Sequence, residues 1–311
     1  MFLVVATFAL FSSIFTVAKP TLDSGGLFFL LGTRMVVAAL LIGVYLLWKR
    51  PHVLRLSRSL IIMVLITGTL NFFVTNVFEF LGLAHLPSWK TCFIYNFSPF
   101  ICAFLSLLLL GERMNSQRWL GLLVGSFGIS MIFWPDASGM LAGLWTLGWP
   151  EISVLLAVTV SQLGWTLMRK MRLEGVDPLA ANCYGMALAG LLCLGVSGAT
   201  ESWQPIPIWD GWTAGWGTTY MLIVSNLLAY NLYAGLLQRF SSTFLALAGG
   251  MTSLFAALWG WLFLGEVVHW IMLPAACIGT AGLMIYYRQE LQQRPWKVGP
   301  VLQATEPAGV S

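Results

Sequence analysis

Charge is what this chain has least of. Only 9% of its 311 residues are Asp, Glu, Lys or Arg, against 58% hydrophobic, where a soluble domain carries about a quarter charged residues. A polar surface cannot be built from so few, which excludes a water-soluble globule. The sequence also lacks the alternating segments of roughly ten residues that mark a membrane barrel. Cys92, Cys102, Cys183, Cys193 and Cys277 lie singly in apolar runs with no CxxC pair, so neither disulfides nor a metal centre is expected. No HExxH, GxGD or paired aspartates occur, and no cofactor is implied. The net charge of +4 is no nucleic-acid footprint, because the basic residues fall between the apolar runs.

Those runs are near twenty residues long, the length that crosses a hydrocarbon core of about 30 Å. Between polar breaks they predict ten helices, at about 2–18, 27–48, 60–84, 88–110, 117–134, 149–168, 179–199, 213–236, 242–264 and 268–287. The first lacks a basic leader and a good cleavage site, so it reads as a span rather than a signal peptide. With the N-terminus inside, thirteen of the 16 basic residues sit in inner loops or the tail: Lys49, Arg50, Arg55, Arg58, Arg113, Arg118, Arg169, Lys170, Arg172, Arg239, Arg288, Arg294 and Lys297. Lys19, Arg34 and Lys90 remain on the other side. This asymmetry predicts both termini in the cytoplasm.

The stretch "LLLLGERMNSQRWLGLLVGSFG" (Leu107 to Gly128) is echoed by "LFLGEVVHWIMLPAACIGTAG" (Leu262 to Gly282). A shift of 154 residues without gaps lays Ala103, Leu108, Leu110, Gly111, Glu112, Gly125 and Gly128 on Ala257, Leu262, Leu264, Gly265, Glu266, Gly279 and Gly282. It predicts two five-span halves, 1–135 and 148–288, followed by a disordered tail, 289–311. Five is odd, so the second half enters the membrane upside down, an arrangement many secondary transporters use to expose a midplane site to each side in turn. The Gly-Glu steps end spans four and nine, with Gly as helix stop and Glu near the next helix start. Gly121-x-x-x-Gly125 and Ala275-x-x-x-Gly279 are faces for close helix packing, within the bundle or at a dimer contact.

Ionisable groups inside a membrane cost several kcal/mol on lipid and are functional candidates by default. Lys19, Arg34, Glu79, Lys90 and Glu151 all fall in the outer half. Arg34 or Lys90 can hold a carboxylate and Glu79 a cationic group; alternatively Glu79 only satisfies Arg34 or Lys90, Arg34 locks helices, and Lys19 is interfacial. Asn71, Thr75 and Glu79 share a face of span three at α-helical spacing. Thr91, Tyr95 and Ser98 do so on span four, just before Pro99, which removes a hydrogen bond in mid-span. Gln162 and Trp165 face together on span six, and Asn226, Tyr230 and Tyr233 on span eight. Ser98 and Thr252 also suit plain helix packing. The aligned polar faces predict a water-filled cavity whose aromatic members suit a flat or cationic ligand. Trp119, Trp149, Trp212 and Trp270 fall at span ends and read as interface anchors.

Two five-span halves, "LGE" closing the fourth span of each, glycine-spaced fifth spans, "FSSIFTVAK" (Phe11–Lys19) and "GTRMVVAALL" (Gly32–Leu41) together resemble the drug/metabolite transporter superfamily, EamA type. The resemblance covers Met1 to Tyr287. It implies a ten-helix transporter with a central cavity lined mainly by spans one, three, four, six, eight and nine. The chain departs from the family in lacking a Trp-Gly early in span one and in carrying 15 Trp. "IYNFSPF" (Ile94–Phe100) with "GTRM" is similar to a subgroup that carries S-adenosylmethionine and S-adenosylhomocysteine in intracellular bacteria. That implies a zwitterionic nucleoside-bearing substrate; an amino acid, or another drug or metabolite for export, is the alternative. An intramembrane enzyme is a third reading, since "GVSG" (Gly195–Gly198) matches a short serine-protease signature. Its candidate bases, His85 and His269, sit at span ends. A channel would need a ring of like residues, which unlike halves do not supply. Expected partners are the lipid bilayer and a small metabolite; monomer or homodimer is left open.

Overall fold

The computed structural model describes residues 2–86, 91, 94–95, 97–111, 114–130, 148–264 and 272–292. Regular structure among them is helical, apart from one isolated bridge between Gly25 and Ile208. Leu27–Lys49, Arg58–Leu83, Trp149–Leu173 and Pro178–Thr200 are each long and apolar enough to cross a bilayer. Phe2–Leu22, Ser98–Leu110, Ser116–Ser130, the run 211–236, the pair Ser242–Gly249 and Met251–Leu264, and Met272–Gln292 occupy the other expected positions. Leu40, Val44, Leu47, Leu108, Phe127 and Leu191 point outward, exposed, as lipid-facing residues must. The chain is an all-α polytopic membrane protein.

Helix ends follow local chemistry. Asp177 accepts hydrogen bonds from the backbone N–H of Leu179 and Ala180, and Pro178 opens the helix where no N–H is missed. Ser57, Asp210 and Ser241 cap their helices the same way. Glu151 reaches back to the Gly148 N–H at 2.9 Å, so it serves as a cap at the start of span six. Gly111 ends span four in the left-handed region, at φ 67°; Glu112, Glu266 and Gly265 lie outside the described residues, as does Trp270. Span one does not stop at 18 but runs through Pro20 to Leu22. The Thr21 hydroxyl donates to the Val17 carbonyl at 2.7 Å in the turn that follows Pro20. The last helix likewise continues to Gln292, into the tail expected to be disordered from 289; residues 293–311 lie outside the description. Pro99 does not puncture a helix. The chain turns at Phe97 and Pro99 opens the next segment, Ser98–Leu110, at its first turn.

Spans pair antiparallel through small residues. Gly32 lies against Leu194 and Gly190 against Val36, while Cys183 donates to the Ala39 carbonyl at 3.3 Å, so spans two and seven run oppositely. Gly121, Gly125 and Gly128 meet Tyr286, Gly282 and Gly279, so spans five and ten do the same. The glycine faces therefore serve packing within the bundle. Gly82 sits on Val154 and Asn71 on Gly164, joining spans three and six. The Tyr220 hydroxyl donates to Ser13 at 2.8 Å, joining spans eight and one.

Two spans are widened in the middle. Thr69–Val74 and Leu222–Ala229 form π-helical turns, and the 154-residue shift maps the first onto 223–228, inside the second. A π-turn releases carbonyls from the ordinary ladder, and in an apolar medium each needs another donor. Asn76 Nδ2 donates to the Asn71 carbonyl at 3.3 Å and Asn231 Nδ2 to the Asn226 carbonyl at 3.0 Å, each five residues back. The preceding span of each half holds that asparagine: Arg34 Nη2 donates to Asn76 Oδ1 at 3.0 Å, and Asn182 Nδ2 to Asn231 Oδ1 at 2.7 Å. Replacing Asn76 with Leu leaves the Asn71 carbonyl and an Arg34 N–H unpaired. We expect a loss of about 1–3 kcal/mol, read as a lowered melting temperature in detergent, and a comparable loss for Asn231→Leu.

Candidate substrate-binding cavity

The widened spans border a cavity of about 1130 Å³ of atom-free space, mouth included, at the middle of the bundle. Spans one, two, three, four, six, eight and nine contribute to its wall. Arg34, Asn71, Thr75, Glu79, Tyr95 and Ser98 line one part of it. Gln162, Trp165, Tyr230 and Tyr233 line another. Lys90 lies outside the described residues.

Asn226 is not on the wall. It is fully buried and faces Met186 of span seven at 3.9 Å, while Ser225 and Tyr230 reach the cavity. The π-turn explains the exchange: its wider period puts residues five apart on one face, so Ser225 replaces Asn226 beside Tyr230. The same widening adds Asn76 and Phe80 to the Asn71, Thr75 and Glu79 face of span three. Asn76 escaped a reading based on α-helical spacing, although the Asn-x4-Asn interval, present in both halves, was its available signal. Thr252, which also suited plain packing, stands on the cavity wall beside Gly249 and Gly250.

The charged groups are held apart. The Glu79 carboxylate accepts a hydrogen bond from the Tyr95 hydroxyl and feels the Arg34 charge. Arg34 is 2% exposed. It spends Nη2 on Asn76, Nη1 on the Met221 sulfur at 3.1 Å, and stacks its guanidinium over the Phe80 ring at 5.7 Å. Its Nε has no hydrogen-bond partner among the described residues. Arg34 thus locks spans two, three and eight together, yet still reaches the cavity. Glu79 is not consumed in neutralising it.

Aromatic rings form the floor. Tyr230 meets Phe11 at 5.6 Å, Phe72 at 5.1 Å and Trp165 at 6.0 Å between centroids, and Tyr233 meets Trp165 at 4.4 Å and Phe8 at 6.0 Å. These edge-on and tilted contacts suit ring quadrupoles. The floor merges with a packed plug of Val4, Val64, Met168, Met171, Leu236 and Phe244. This packed cluster lies toward the end where Arg169, Lys170, Arg172 and Arg239 emerge.

The serine-protease signature has a structural use. Ser197 is buried and its hydroxyl donates to Glu201 at 2.7 Å. Glu201 in turn accepts from the Phe28 and Phe29 backbone N–H at 2.7 and 3.0 Å, capping span two.

A helical bundle around a largely apolar cavity that holds groups of both charges and a cluster of aromatic rings is the architecture of a membrane transporter of small molecules. The model of the EamA-like transporter family matches residues 1–134 and again 148–288, and the chain belongs to that family. A protein of Chlamydia muridarum named S-adenosylmethionine/S-adenosylhomocysteine transporter is 37% identical over 94% of this chain and 93% of its own length. The protein of that name from Chlamydia trachomatis serovar L2 is 37% identical over 94% of this chain and 90% of its own. A solved crystal structure only 14% identical superposes with a TM-score of 0.73 over 94% of this chain and 98% of that one, so the fold is shared far beyond recognisable sequence.

Proposed function

We propose that the chain moves S-adenosylmethionine across a bacterial inner membrane by alternating access, in exchange for S-adenosylhomocysteine. The observation that carries this reading is one cavity holding both signs of charge above an aromatic floor. It occurs in a chain 37% identical, over 94% of its length, to a protein named for that traffic. S-adenosylmethionine presents matching groups: a carboxylate for the charge of Arg34, an ammonium and a sulfonium for Glu79, and an adenine for the aromatic rings of the floor.

Alternating access rests on the two halves, 1–135 and 148–288, being inverted copies. The antiparallel pairs of equivalent spans, two with seven and five with ten, support that relation, as do the matched π-turns. With both termini cytoplasmic, as the basic loops favour, the plug lies on the inner side and the cavity is an outward-facing state.

The test is a thermal-shift panel on purified protein followed by counterflow in liposomes. S-adenosylmethionine and S-adenosylhomocysteine should both stabilise the protein, by about 2.7 kcal/mol at a hundredfold excess over Kd, and should exchange for each other. Stabilisation by aromatic amino acids but not by nucleosides would instead make this an amino-acid carrier, which the Arg34 and Glu79 pair also suits.

A further inference from the structure

A polar stripe leaves the cavity toward the end where the basic residues emerge. Ser98 lines the cavity, and Cys102 and Ser106 follow it at four-residue intervals on the same face of span four. On span six Gln162 lines the cavity, and Thr166 follows it one turn nearer to Arg169 and Lys170. Ser242, at the start of span nine, completes the group. Cys102 Sγ lies 3.8 Å from Thr166 Oγ1 and 4.0 Å from Ser106 Oγ, and Ser106 Oγ lies 3.3 Å from Ser242 Oγ. The Thr166 hydroxyl donates to the Gln162 carbonyl at 2.7 Å, so it accepts from the Cys102 thiol. Cys102, Ser106, Thr166 and Ser242 are each at most 2% exposed. A buried layer of small polar side chains therefore joins spans four, six and nine just beyond the cavity.

The layer differs from the contacts that fix other spans. Spans five and ten interlock backbone against backbone at Gly121, Gly125 and Gly128, a fit that is lost if they separate. Spans four and nine touch here through two hydroxyls at a long hydrogen-bond distance. Such groups lose little on parting where water enters, because water replaces each partner. An apolar layer would instead expose surface that water disfavours. We infer that this layer is the inner gate of the transporter, an inference that rests on the exchange by alternating access proposed above. Spans four and nine part between Ser106 and Ser242, and the stripe from Ser98 to Ser106 becomes the wall of an inward-facing path. The four side chains bond one another while the gate is shut and bond water while it is open. Cys102, sealed in the present state, meets solvent in the other.

The test is a pair of cysteines, Ser106→Cys with Ser242→Cys, in a Cys102→Ala chain reconstituted in liposomes. Thiols replacing hydroxyls 3.3 Å apart are within disulfide reach. Oxidation should cross-link the pair and cut S-adenosylmethionine counterflow at least about tenfold, and reduction should restore it. The cross-linked protein should still be stabilised by S-adenosylmethionine in a thermal shift, which separates a locked gate from a misfolded chain. Wild-type protein gives a second readout that needs no substitution. A buried thiol is inert. Alkylation of Cys102 by N-ethylmaleimide, followed by peptide mass, should be slow in the empty protein and at least about fivefold faster during exchange. Counterflow undiminished by a complete cross-link overturns the gate and leaves the proposed exchange standing. Cys102 labelling that is equally slow with and without S-adenosylmethionine also overturns it. Wild-type protein that performs no S-adenosylmethionine counterflow removes the parent reading and this one together.

Discussion

Glu79→Gln should cut the apparent affinity for S-adenosylmethionine by about 10- to 150-fold, the range of a charge-assisted hydrogen bond worth about 1.5–3 kcal/mol. Glu79 is the acidic residue of the cavity wall and its carboxylate is positioned by the Tyr95 hydroxyl. Arg34 does not use it as a bonded partner, having Asn76 and Met221 instead. The carboxylate's negative charge is therefore available to a cationic ligand. The glutamine keeps the shape and the hydrogen bond from Tyr95 but removes that charge. Glu79→Asp retains charge at shorter reach and should lie between the two. The same variant separates two modes of transport. If Glu79 carries a coupling proton, uptake by the wild type varies with pH and uptake by Glu79→Gln does not. An identical pH profile in both eliminates the coupling role and leaves exchange without a proton.

The extent to which this site was legible depended on which periodicity the backbone obeys. Hydropathy located the spans because a bilayer imposes their length, and the charges of Arg34 and Glu79 were conspicuous against an apolar background. Trp165, Tyr230 and Tyr233 followed from α-helical spacing on spans six and eight. Asn226 failed, and Asn76 was missed, for the same reason: both lie in or next to a π-turn, where a residue's neighbour on the same face is five positions away. No local sequence feature announces such a turn. The paired Asn-x4-Asn intervals become its signature only once the carbonyls they satisfy are known. Span one was expected to end at about 18 and runs to Leu22, because Pro20 is accommodated inside the helix instead of ending it. The Gly-Ser signature at Ser197 misled in the opposite direction. Its hydroxyl is committed to the carboxylate that caps a neighbouring helix, a relation between residues 173 apart in the chain.

Glycine positions look alike in a sequence, and their substitution should sort them sharply. Gly121→Leu should prevent assembly of the bundle, giving little monodisperse protein in detergent, whereas Gly195→Leu should leave yield and melting temperature close to wild type. A Cβ on Gly121 would meet the Tyr286 backbone nitrogen at 2.8 Å and the Gly282 carbonyl oxygen at 2.9 Å, so no side-chain rotation can make room. The helices would have to separate along the whole Gly121, Gly125 and Gly128 face. Association in lipid depends on close backbone approach, since burial from water contributes nothing there. Overpacking costs about 1–3 kcal/mol where side chains yield, and more is expected where the obstacle is backbone. Gly195, by contrast, has nothing within 4 Å of where its Cβ would stand, and a leucine there adds only an apolar side chain to an open helix surface. If Gly121→Leu purified as stably as Gly195→Leu, the antiparallel contact of spans five and ten could not be the fixed scaffold against which the cavity-lining spans move. Alternating access would then need another frame.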